Sequence, residues 1–234
     1  MADEHFFYIS PDNISKNCFT LDEEETHHVL NVLRLQVDDE IWLLDGVGIA
    51  YRGIIKNNGQ EVSGEIIAES PGFSEPKVEM HLAVGLIKKD RIEWLLEKAV
   101  ECGALSITPL LLDRCLKKSL NLERSQKIVR TAAKQCGRSR FPKLNEPTSL
   151  DNYLNDKSDL TVCLQSEGET SLSTWQREKS PNKVSVLIGP EGDFSENEMN
   201  IIRDNNIKIV SLGNRRLRTE TAAITALNII EHGG

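Results

Sequence analysis

No apolar run in the chain approaches the roughly 18 to 20 residues that a membrane span requires. The opening Met-Ala-Asp-Glu-His has neither the basic start nor the apolar stretch of a signal peptide. A cytoplasmic protein is expected. Cysteine is sparse: Cys18, Cys102, Cys115, Cys136 and Cys163 are odd in number and widely spaced, with no C-x-x-C pair. This excludes a disulfide scaffold and gives no zinc-ligand spacing, so reduced packing cysteines and no metal are expected. Histidine is equally rare, at five residues, and no Ser-His-Asp or Cys-His constellation is evident. Neither a Walker loop nor G-x-G-x-x-G occurs. A chain so poor in nucleophile-base pairs fits chemistry in which a cofactor carries the reactive group and the protein supplies position and electrostatics.

What is present is an ordinary globular composition over 234 residues, 39% hydrophobic and 27% charged. The net charge of -8 argues against nucleic acid as a partner, until it is divided at the linker-like Pro71–Pro76 stretch. Residues 1 to 76 hold 4 basic and 15 acidic residues, a balance of -11, and the rest of the chain carries +3. Between Arg114 and Lys143 lie ten basic residues and one acid, Glu123.

Short strands are expected at Ile41–Leu44, Ala50–Ile55, Val62 and Glu65–Ala68, punctuated by Asp45-Gly46 and Asn57-Asn58-Gly59, as in a small barrel or sandwich. One helix is expected over Thr26–Leu35, opened by Glu23, Glu24 and Glu25. Beyond Pro76 the texture becomes strand-helix alternation. Strands are predicted at Val78–Leu86, Leu105–Pro109, Leu160–Leu164, Val184–Ile188 and Ile207–Leu212. Helices are predicted at Ile92–Val100, at Leu122–Cys136, after the capping box Ser195–Glu198, and over Thr219–His232. This pattern predicts an α/β fold with a mostly parallel sheet, whose ligands sit at the carboxyl ends of the strands.

Two strand ends carry chemistry. Gly189-Pro190-Glu191-Gly192-Asp193 follows one strand, either as a ligand-reading loop or as a plain tight turn. Leu212-Gly213-Asn214-Arg215-Arg216-Leu217-Arg218 precedes a helix start, either as an anion site or as a solvated charge run. A third end, Leu164-Gln165, is uninformative alone. On the predicted Leu122–Cys136 helix, Ile128, Val129, Ala132, Ala133 and Cys136 mark an inward stripe, with Lys127, Arg130 and Lys134 opposite and Arg138 and Arg140 following. That basic ridge suits a phosphate backbone, or else is a solvated helix face. Phe141 either stacks on a base or packs under its loop.

Taken together, Leu187-Ile188-Gly189-Pro190-Glu191-Gly192 and Leu212-Gly213-x-Arg215-x-Leu217-Arg218-Thr219-Glu220-Thr221-Ala222 resemble the paired signature of the RsmE family. Its members are 16S ribosomal RNA (uracil-N3)-methyltransferases of the SPOUT superfamily, acting at uridine 1498. His28 with Val32-Leu33-Arg34-Leu35, then Lys98, Glu101, Gly103, Ile107–Leu110 and Arg114, then Gln135–Arg138 with Arg140 and Pro142, are similar to further family blocks in the same order. The resemblance implies a PUA-like β-barrel RNA-binding domain over residues 1–72. It also implies a SPOUT methyltransferase domain with a C-terminal trefoil knot over 73–234, in a homodimer acting on 16S ribosomal RNA in the small subunit. It implies an S-adenosylmethionine pocket from Leu164, Gln165, Ile188, Gly189, Pro190, Glu191, Gly192, Leu212, Gly213, Leu217, Arg218 and Thr219. Catalytic roles fall to Arg218, with Glu191 or Glu220, and RNA contacts to Arg34, Arg114, Lys127, Arg130, Lys134, Arg138 and Arg140. Three residues depart from the pattern: Asp193 stands where glycine is usual, Arg216 replaces an apolar residue, and His5 stands where arginine is common. The alternatives are another SPOUT RNA methyltransferase, acting on a ribose 2'-OH or a different base, and a non-catalytic RNA-binding module. A small-anion protein built on the arginine-rich loop is a third.

Overall fold

A computed structural model describes residues 5–156 and 160–233 of the chain. They divide into two compact units, one within Met1–Glu75 together with Ala133–Phe141, the other comprising Pro76–Ala132 and Pro142–Gly234.

The first unit contains β1 (Phe6–Tyr8), β2 (Ile14–Ser15), β3 (Cys18–Thr20), helix α1 (Glu23–His27), β4 (Glu40–Leu44), β5 (Ile49–Asn58) and β6 (Val62–Pro71). They form one six-stranded sheet in the order β1-β4-β5-β6-β3-β2, antiparallel except for β1 beside β4. Alternation along β5 and β6 supplies an inner face. Phe7, Phe19, Ile41, Leu43, Ile55 and Val62 are fully buried in one cluster, each contributing about 1.5–3 kcal/mol by its removal from water.

The expected Thr26–Leu35 helix is displaced and broken. It starts earlier because Asp22 caps it, accepting from Glu25 N at 2.8 Å. After His27 it widens into a π-helical stretch, His28–Leu33, and Arg34 ends it in a left-handed conformation at φ 58°. The Pro71–Pro76 stretch is also more than a spacer. Phe73 stacks on Trp42 with centroids 4.6 Å apart, and Glu75 binds Arg138 and the backbone of Arg140 at 2.7 Å each. Gly137 leaves room for Phe6, whose ring would lie 2.8 Å from any Cβ there. These contacts explain why 133–141 is counted with the first unit, whereas the 72/73 division treats the two domains as consecutive.

The second unit contains β7 (Glu79–Gly85), α2 (Lys89–Glu101), β8 (Ala104–Leu110), α3 (Leu122–Gln135, its last turn counted with the first unit), β9 (Lys143–Leu144), α4 (Leu150–Asn155) and β10 (Leu160–Leu164). There follow β11 (Thr170–Ser171), α5 (Leu172–Lys179), β12 (Lys183–Ile188), α6 (Glu196–Asp204), β13 (Lys208–Ser211) and α7 (Thr219–His232). All seven strands run parallel, in the order β11-β13-β10-β12-β7-β8-β9. The predicted capping box is present: Ser195 Oγ accepts from Glu198 N, and Glu198 returns the bond to Ser195 N. After β12 the chain crosses to β13, on the far side of β10, and α7 then returns to pack on β7, β12, α2 and α5. Among the described residues, no helix is long and apolar enough to cross a membrane.

Candidate functional site

Adjacent strands β12, β10 and β13 release their loops on the same sheet edge. A cavity of about 800 Å³ lies there, within the second unit, lined by 164–166, 188–193, 212–219 and Ala222, with Arg91 from α2 and Arg114 from the segment after β8. Its size is that of a small-molecule site, and its place at the carboxyl ends of parallel strands is where such sites form. All twelve residues expected to hold the cofactor line it. Glu220 does not; it is 8% exposed in the first turn of α7.

The loops are held by specific bonds. Thr219 Oγ1 donates to Gly189 O at 3.0 Å, tying the start of α7 to the glycine loop. Gln165 Nε2 donates to Asp193 Oδ1 at 2.7 Å, tying the β10 loop to the same place. Asp193 also accepts from Phe194 N at 2.8 Å, and its backbone is left-handed at φ 63°. Aspartate is among the few side chains that tolerate this conformation, so the turn forms with Asp193 in place of the glycine that the resemblance leads one to expect. Arg216 finds a partial partner at the rim, its Nη2 3.5 Å from Glu191 O, while Arg114 Nη1 donates to Gly192 O at 3.1 Å. His5, the third departure, stands in the backbone before β1, where its carbonyl accepts from Trp42 N.

Arg218 occupies the N-cap position of α7 in extended conformation, exposed and without a side-chain capping bond. Its guanidinium therefore has no structural task in capping. Arg91, absent from the expected set, stands between two carboxylates: Nη1 is 3.6 Å from Glu191 Oε1 and Nε is 3.8 Å from Glu220 Oε1. A charge in the first turn of an amphipathic helix reads from sequence as solvated surface, and nothing marked it. Among the described residues, no cysteine or histidine lines the cavity. Burial, with Asp193 adding to it, pushes the Cys163 thiol up to about 12.

The expected RNA contacts are dispersed. Arg34, Lys127, Arg130 and Arg140 are exposed. Two others are spent internally: Lys134 is ion-paired with Glu25, which is 1% exposed, and Arg138 is 2% exposed and bonded to Glu75. The ridge on α3 is thus shorter than its sequence implies, because a buried carboxylate needs a cation more than the surface does. Phe141 packs on Tyr8 with centroids 5.6 Å apart and lies 3.3 Å from any Cβ at Gly46, which is the packing alternative.

The lining suits a nucleoside with a charged tail. Leu164, Ile188, Pro190, Leu212 and Leu217 offer an apolar wall, and the glycine loops expose backbone. A Cβ at Gly213, where φ is 104°, would meet nothing within 4 Å, so the glycine leaves cradle space that a side chain would take up.

A family model described as an RNA methyltransferase domain matches residues 74–231, and one described as an RNA methyltransferase PUA domain matches 21–67. Ribosomal RNA small subunit methyltransferase E of Rickettsia conorii is 30% identical over 88% of this chain and 85% of its own. The crystal structure of the protein of that name from Neisseria gonorrhoeae, bound to S-adenosyl methionine, superposes with a TM-score of 0.86 at 28% identity, over 96% of this chain and 95% of that one. A putative methyltransferase of Legionella pneumophila, in complex with the cofactor SAM, gives 0.84 at 29% identity over 98% and 97%.

Proposed function

Because the chain belongs to the ribosomal RNA small subunit methyltransferase E family, we propose that it methylates 16S ribosomal RNA with S-adenosylmethionine, at N3 of uridine 1498. The observation that carries this reading is the convergence of three strand-end loops, 164–166, 188–193 and 212–219, on one cavity. Leu164, Ile188, Leu212 and Leu217 would flank the adenine, and backbone groups of Gly189–Gly192 and Gly213 would read its edge. When bound, the cofactor supplies an electrophilic methyl group on a cationic sulfonium.

The chain's own task is the nucleophile. Uracil N3 carries a proton with a pKa well above neutrality, so the proton must leave and the resulting anion must be stabilised. Arg218, free of capping duty and on the cavity, stabilises the uracilate or orients the base. Glu191 or Glu220 assists removal of the proton. The exposed guanidinium groups of Arg114, Arg215, Arg216 and Arg218 on the cavity, with Arg34, Lys127, Arg130 and Arg140 elsewhere, hold phosphates.

The same reading includes a cytoplasmic homodimer acting on the small ribosomal subunit, a PUA-like barrel over 1–72 as the RNA-binding domain, and a trefoil knot within 73–234. The knot reading rests on the family resemblance, and the crossing from β12 past β10 to β13, followed by the return of α7, is the stretch of chain that it concerns.

Two measurements test the proposal. Calorimetric titration should show S-adenosylmethionine binding to the isolated protein. Mass mapping of 16S RNA after incubation, as naked RNA and in assembled small subunits, should place one methyl on N3 of uridine 1498. A methyl on a ribose oxygen or another base would reassign the substrate, and cofactor binding without any methyl transfer would make the chain a binding module.

A further inference from the structure

Arg91 and Glu191 on the cavity wall, with Glu220 buried behind them, carry an unbalanced charge. Glu191, from the glycine loop, and Glu220, from α7, share a single guanidinium, Arg91, and neither contact is short enough to be a hydrogen bond. Both carboxylate oxygens of Glu191 and Oε2 of Glu220 are buried without any hydrogen-bond partner. A buried carboxylate without a donor is costly, and one cation between two leaves a formal charge of -1. The other ionic groups of the cavity do not cancel it: Arg114, Arg215, Arg216 and Arg218 are exposed and screened by water, and Asp193 is a further acid. Among the described residues, Arg91 is the one cationic side chain paired with either carboxylate within 4 Å.

We infer that the Glu191–Arg91–Glu220 triad is a charge-selective element of this cavity, which favours a cationic sulfonium ligand over the neutral thioether left after methyl transfer. This rests on the cofactor reading above. The two ligands share adenosine and the amino-acid tail, so apolar walls and backbone contacts bind both alike. They differ by one methyl and one positive charge. A fixed, poorly solvated negative charge at the wall acts on that difference alone, attracting the charged form and loosening its hold once the charge is gone. The triad is a specificity device, placed to promote product exchange.

The test is the ratio of affinities for S-adenosylmethionine and S-adenosylhomocysteine, measured by calorimetry on the full-length chain. A general loss of packing lowers both affinities and leaves the ratio unchanged. Glu220→Gln removes the unbalanced charge with little change of shape and should lower the ratio about tenfold, the scale of two unit charges several ångströms apart in a partly screened site. Arg91→Gln leaves the carboxylates without their cation and should hold the ratio at or above the parent's. An unchanged ratio in Glu220→Gln, or a fall in Arg91→Gln, overturns the inference. Failure of the parent protein to bind either compound instead overturns the cofactor reading.

Discussion

Arg218 shows how a single residue can be separated into structural and chemical duties. Because its side chain caps nothing and is exposed, Arg218→Ala should leave stability within about 0.5 kcal/mol of the parent. Methyl transfer should be abolished and cofactor affinity largely retained, as seen by a transfer assay beside calorimetry; joint loss of both would make it a structural clamp. Cysteines give a second forecast at this scale. Burial raises the thiol pKa of Cys115, and that of Cys163 to about 12, so both stay protonated and unreactive at pH 8. Cys18 is exposed and should be alkylated first. Mass spectrometry of briefly alkylated native protein should find the label on Cys18, with Cys115 and Cys163 labelled only after unfolding.

At the level of elements, α3 is the informative one. Its inward stripe was legible: Val129, Ala132 and Ala133 are buried, as their spacing requires. Its basic face was only half legible, since the acids that claim Lys134 and Arg138 lie 109 and 63 residues away in sequence. Reversing Lys127 and Arg130 to Glu should therefore weaken RNA binding and flatten its salt dependence by roughly 0.7 in log-log slope for each phosphate no longer neutralised. The deficit should be greatest at low salt, and an unchanged slope would show that α3 does not dock RNA. Strands β7, β8, β10 and β12, helix α7 and the capping box of α6 followed from local periodicity and capping chemistry. Strand β1, three residues long, did not, because it exists only through its parallel pairing with β4. The cavity was legible as three loops and their order. That the loops meet depends on strand order, which pairwise spacing does not encode, and Arg91 was hidden for the same reason.

The whole molecule is organised by a chain path that visits the first unit twice. Arg138 and Glu75 hold that arrangement with a buried ion pair at 2.7 Å. Arg138→Met should cost about 3 kcal/mol or more in urea unfolding, because it strands a carboxylate. Replacing Glu75 by Leu as well should recover much of the loss; if the double variant is no better than the single, the pair is not the cause. This path also bears on synthesis. Segment 133–141, with Gly137 beside Phe6 and Arg140 bridged to Gly46, emerges from the ribosome only after more than half the chain has been made. The first unit is thus encoded first but completed late: its six strands lie within residues 6–71, yet the contacts that segment 133–141 makes with Phe6, Gly46 and Glu75 wait until β7, α2, β8 and most of α3 have been translated.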